Sequence, residues 1–82
     1  MQFVRVPVPN CDKTQLIAHD NLSGIVANIV PCADNSGFIG RIADAMTGER
    51  LGDFIGSNES TVQNRIDNHI NSLIAKGFIA TL

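Results

Sequence analysis

Five aliphatic residues, Val62, Ile66, Ile70, Leu73 and Ile74, recur at steps of four, three and one between residues 60 and 76. That 3.6-residue period commits the segment to an amphipathic helix. Gly77 is the expected stop, Lys76 falls in the last turn, and Phe78 is placed to fold back on Leu73. Ser60-Thr61-Val62-Gln63 fits a capping box at the start. Asn64, Asn68 and Asn71 on the other side are poor helix formers, so the helix depends on burying its stripe. Burial of the five residues is worth about 10 kcal/mol gross, before chain entropy is charged. The 82-residue chain must therefore build a surface for this stripe, and a 44% hydrophobic content supplies one. The expectation is a single α+β domain over residues 1–82.

The first 35 residues read as a strand-containing N-terminal part. Phe3 to Val8 alternates, with Val4, Val6 and Val8 on one side, and Pro7 confines it to an edge or terminal strand. Gln15 to His19 suits a second short strand. Leu22, Ile25, Val26, Ile29 and Val30 would line a helix face, yet the same β-branched run suits a buried strand. Asp34-Asn35-Ser36-Gly37 is a turn. The N-terminal strand is expected to pair with Phe78–Leu82 in a small sheet.

Residues 36 to 56 admit two readings. Phe38, Ile39, Ile42, Ala45 and Met46 recur at helical spacing, as do Leu51, Phe54 and Ile55. A helix over 51–55 would cross its neighbour at Gly52 and end at a left-handed Gly56. Alternatively, Asp44-Ala-Met-Thr-Gly-Glu49 is a hairpin turn with Gly48 in the left-handed position. Phe38–Ala45 and Arg50–Ile55 are then antiparallel strands. The long helix after Ser60 is common to both.

Under the first reading, residues 47–79 resemble the helix-turn-helix of winged-helix bacterial or phage regulators. Gly52, Gly56, Thr61 and Val62 match the family pattern in type and spacing. Gly77-Phe78-Ile79 is similar to the entry into the wing. Thr47 to Gly52 looks like the opening of the first motif helix in the biotin-repressor type. The second helix is about one turn longer than the family norm, Asp67 to Ile70 being the added turn. The resemblance implies a winged-helix-like fold with a short terminal sheet, residues 36–82 forming the helix-turn-helix part. The alternative is an antiparallel β-meander packed on one long C-terminal helix.

The resemblance further implies a dimeric DNA-binding transcriptional regulator. Gln63, Asn64, Arg65 and Asn68 would meet base edges of double-stranded DNA, Thr61 a phosphate, and Arg41, Arg50 and Lys76 the backbone. The charge is −2, from eight acids and six bases, with no basic stripe of the kind nucleic-acid domains show. A second class is therefore carried alongside: a small phage-encoded inhibitor that binds a host protein complex stoichiometrically. Anti-CRISPR proteins are similar in size and charge. Its face would be Asn64, Asp67, Asn68 and Asn71.

Nothing in the chain suggests catalysis, a cofactor or a metal. Cys11 and Cys32 lie too far apart for a metal knuckle and read as a reduced pair. His69 beside the stripe reads as a packed or half-exposed imidazole. Asp12, Asp20 and Asp34 read as turn or cap acids. There is no nucleophile elbow and no phosphate-binding glycine loop. No apolar run reaches the ~20 residues of a membrane span and no secretory signal is legible, so the expected compartment is the cytoplasm of the producing or infected cell.

Overall fold

Every connection between strands is a short hairpin, so the sheet can only be antiparallel and its order must follow the chain. The computed structural model describes residues 1–77. Strands β1 (Val4–Pro7), β2 (Thr14–Asp20), β3 (Ile25–Pro31), β4 (Phe38–Asp44) and β5 (Arg50–Gly56) form one sheet in the order β1-β2-β3-β4-β5. Helix α1 (Glu59–Ala75) follows and packs on β3, β4 and β5. The architecture is α+β, the β-meander on one long helix.

The turns are closed by carboxylates. Asp20 Oδ1 accepts from Leu22 N at 3.1 Å and its Oδ2 from Ser23 Oγ at 2.9 Å. Asp34 Oδ1 accepts from Ser36 N at 3.0 Å. Asp44 Oδ1 accepts from Met46 N at 2.8 Å and Thr47 N at 3.2 Å. Each short side chain mimics a backbone turn. The Asp44–Glu49 hairpin carries Gly48 at φ 75°, where a side chain would be strained. Ala45 N donates to Gly24 O at 2.8 Å, pinning two turns together at one end of the sheet.

The core lies between sheet and helix. Leu16, Ile25, Ala27, Ile29 and Ile42 meet Val62, Ile66 and Ile70. Met1, Phe3, Phe38, Leu51, Phe54 and Ile74 close its margins. Of the helical stripe, Val62, Ile66 and Ile70 are buried, Leu73 and Ile74 half-buried. The helix can sit this low because the sheet beneath it is notched. A Cβ on Gly40 would come 2.4 Å from Val62 Cγ1 and 2.9 Å from Ile66 Cδ1. One on Gly56 would come 2.9 Å from Val62 Cγ2. Arg5 Nη2, meanwhile, reaches Glu59 Oε1 at 2.8 Å and ties the β1 edge to the helix start.

The helix-turn-helix expectation is overturned over residues 38–55. Those residues are β4, its hairpin turn and β5. Helical spacing there was produced by two features that disguise a strand. Gly40, Gly52 and Gly56 occupy positions on the helix-facing side, in register with Phe54, Ile42 and Phe38, so buried positions read as polar gaps. A bulge between Ile42 and Ala43 leaves Leu51 as an extra residue in β5, which breaks the two-residue period. Gly56 is not left-handed; it is small because Val62 presses on it. The helix is capped by Asn58, whose Oδ1 accepts from Thr61 N at 2.8 Å and from Thr61 Oγ1 at 3.0 Å. That cap displaces the box expected at Ser60 and Gln63. The 22–30 segment is a turn and β3. The expected pairing of the N-terminal strand with Phe78–Leu82 lies outside the described residues, as does Phe78 itself; β1 pairs with β2.

Gly40→Ala should lower unfolding free energy by about 1–3 kcal/mol through overpacking under Val62 and Ile66, read as a lower urea midpoint at unchanged slope. Asn64→Ala, on the exposed helix face, should stay within about 0.5 kcal/mol. A Gly40→Ala variant as stable as the parent would contradict the close seating.

Hydrogen bonds also make the turn acids pH-sensitive. The Ser23 hydroxyl, then the Leu22 amide, hold Asp20 below the ordinary carboxylate value of 3.8. The Ser36 side chain, then its amide, do the same for Asp34. A folded pKa below the unfolded one gives stability that is full above the unfolded value and is lost as pH falls through the folded value. The urea midpoint should be flat from neutral pH down to about 5 and fall at still lower pH. Asp20→Asn with Asp34→Asn should be less stable at neutral pH and lose less in acid; an unchanged acid limb would refute the assignment.

Candidate functional site

A strand sends alternate side chains to opposite faces, and the described residues cover only one of them. The register carries the other set across the sheet in three rows. Val4 pairs with Ile17, Ile17 with Asn28, Asn28 with Arg41, and Arg41 with Asp53. On one side of this row, His19 pairs with Val26, Val26 with Ala43, and Ala43 with Arg50. On the other, Val6 pairs with Gln15, Val30 with Ile39, and Ile39 with Ile55. No element among the described residues lies over them.

The result is a mainly aliphatic face turned to solvent. Ile55 is 65% exposed, Val4 61% and Ile17 40%, and Val26, Val30, Ile39 and Ala43 are half-buried by one another. A depression of about 550 Å³ runs between Val4, Ile17, His19 and Val26. A smaller one, about 150 Å³, lies between Val26, Asn28, Arg41 and Ala43.

The charged strand residues of this face gather at one corner, whereas Gln15, His19 and Asn28 are spread across it. Asp53 sits between two guanidiniums, Arg50 Nη1 at 3.4 Å and Arg41 Nε at 3.9 Å. All three side chains are substantially exposed, so these ion pairs add little to stability. At the far end Lys13 Nζ donates to Asn35 Oδ1 at 2.8 Å and borders Val8, Cys11 and Val30.

The residues singled out from sequence are divided between the two sides. Asn64, Arg65, Asn68 and Asn71 are exposed on the outer surface of α1, with Gln63 half-buried. Thr61 is engaged by the Asn58 cap, and Asp67 Oδ1 accepts from the Met1 amine at 3.1 Å. Lys76 is at the opposite end of the helix from Thr61. Arg50 and Arg41 are on the uncovered sheet face and do not join the helical set. His69 is half-buried and packs on Phe54, ring centroids 5.3 Å apart. Cys11 is an exposed free thiol and Cys32 a half-buried one.

Sequence reasoning missed the aliphatic face. Its signal was the run Ile25-Val26-Ala27-Asn28-Ile29-Val30, apolar on both sides of a strand. Among the described residues no group of three His, Cys, Asp or Glu side chains converges to hold a metal. No helix among them is long and apolar enough to cross a membrane. Comparison of the chain with protein-family models, curated proteins and solved structures finds no significant match.

Proposed function

We propose that this chain is a small non-catalytic protein-binding module whose docking surface is the uncovered face of its sheet. One observation carries the reading: a five-stranded sheet with a helix on one side presents Val4, Ile17 and Ile55 openly on the other. Contiguous apolar surface of this kind on a small domain marks a place where another molecule sits. The partner surface moves accordingly, from the Asn64, Asp67, Asn68 and Asn71 side of the helix to the sheet. Reading of a DNA duplex rested on a corner of two helices around Gly56. With Arg50–Gly56 extended, that corner is not formed, and the charge of −2 offers no electrostatic substitute.

A tagged chain incubated with lysate of the cell that makes it should retain one protein in stoichiometric amount, insensitive to nuclease. An Ile17→Asp, Ile55→Asp variant should melt within a few degrees of the parent, since both residues are exposed, and should retain nothing. Salt-sensitive binding of random duplex, equal in parent and variant, would overturn the proposal in favour of nucleic acid.

A further inference from the structure

The uncovered face is not only apolar; it is the basic side of an acidic protein. Its strands carry Arg41 and Arg50 against one acid, Asp53, and Lys13 borders it beside Asp34, while the whole chain has six bases and eight acids. Asp20 and Asp44 pair with Ile25 and so belong to the helix side. Glu59 and Asp67 are on α1 itself, and Asp12, Asp34 and Glu49 are in loops. With Asp34 counted beside Lys13, six acids and three bases are left for everything outside the face and its margin. We infer that the occupant of this face is an acidic amphipathic helix of another protein, with an aliphatic stripe flanked by carboxylates; this rests on the docking reading above.

Three physical points lead there. First, each guanidinium has five N–H donors, and Asp53 is the only carboxylate among the described residues that ion-pairs with Arg41 or Arg50. Most of the donors at this corner therefore remain free for a second carboxylate, which a guanidinium takes two-pronged. Second, the backbone of β2, β3 and β4 is hydrogen-bonded on both sides within the sheet. A face in that state offers side chains alone. An extended segment laid on it would lose water from its own amides and carbonyls, whereas a helix satisfies them internally. Third, Lys13 and Arg41 stand two strands and four residues apart, a separation of roughly 16 Å from strand spacing and rise. That is about three helical turns, with Val30 and Ile39 between the two charges and Val26 just beyond Arg41 to receive the stripe. An anionic bilayer shares part of this chemistry, but Asp53 stands among the bases.

The test uses the intact chain and two synthetic helical peptides of about 18 residues, each ~27 Å long. Both carry a leucine stripe; one is flanked by glutamates, the other by lysines. Amide chemical shifts locate binding and anisotropy measures it at low salt. The glutamate peptide should shift Asn28, Ile39 and Arg41 and bind up to about tenfold tighter than the lysine peptide, two exposed ion pairs being worth that much. Arg41→Glu with Arg50→Glu should reverse the preference. Equal binding of both peptides at the face would overturn the acidic occupant yet leave the docking reading intact. Binding of neither would overturn the helical occupant, and capture by the Ile17, Ile55 pair of variants then decides the docking reading separately. Shifts confined to α1 would overturn both. Binding to phosphatidylglycerol vesicles without peptide binding would assign the face to lipid. Sedimentation as a dimer that Ile55→Asp dissociates would assign it to a second copy.

Discussion

The seating of Val62 and Ile66 over Gly40 governs what this small domain can be. A side chain at position 40 would hold the helix off the sheet, and Ile29 and Ile42 would lose the partners that bury them. With glycine there, and again at Gly56, α1 drops onto β3, β4 and β5 and a single core closes around Val62, Ile66 and Ile70. The chain has one long helix among its described residues, and that helix is spent on one side. Five strands have two faces. The geometry that completes the core is therefore the same geometry that leaves the second face without a cover among the described residues.

Much of this was legible in the residues and some was hidden, for reasons that can be named. The helix stripe was unambiguous because successive turns repeat it, and its end at Ala75 falls within a residue of the one expected. Edge placement of β1 followed from Pro7, and the Asp20, Asp34 and Asp44 turns from carboxylates placed two residues before amides they could accept. The Asp44–Glu49 hairpin was visible as an alternative, through Gly48. What concealed β4 and β5 was the absence of side chains where side chains mark the buried period. Gly40, Gly52 and Gly56 face the helix, and Leu51 is an extra residue at a bulge. The same glycines that gave a resemblance to a helix-turn-helix are the notches that receive the helix. The N-cap was misplaced by two residues because Ser60 and Asn58 are both competent caps, and only the chain's exit from β5 selects Asn58.

The candidate site was harder to foresee, because it belongs to no single segment. Polar residues on a helix exterior attract notice, yet Asn64, Asn68 and Asn71 are spread along one solvated surface with no convergence. Ile17, Val26, Ile39 and Ile55 are far apart in sequence and become one surface only through the register of four hairpins. Charge follows the same logic. Arg41, Asp53 and Arg50 look like scattered surface residues until β4 and β5 are paired, when they form a corner with unused donors beside an aliphatic field. A chain that is acidic overall thus holds half of its bases on its apolar side.

The account depends most directly on that second face being open in solution, and a soluble nitroxide added to methyl-labelled protein measures it. The methyl signals of Val4, Ile17, Val26, Ile39 and Ile55 should be strongly broadened, and those of Ile25, Ile29 and Ile42 left sharp. Protection of the first group to the level of the second would mean that something in the chain already covers the face, and the docking surface proposed for it would not exist.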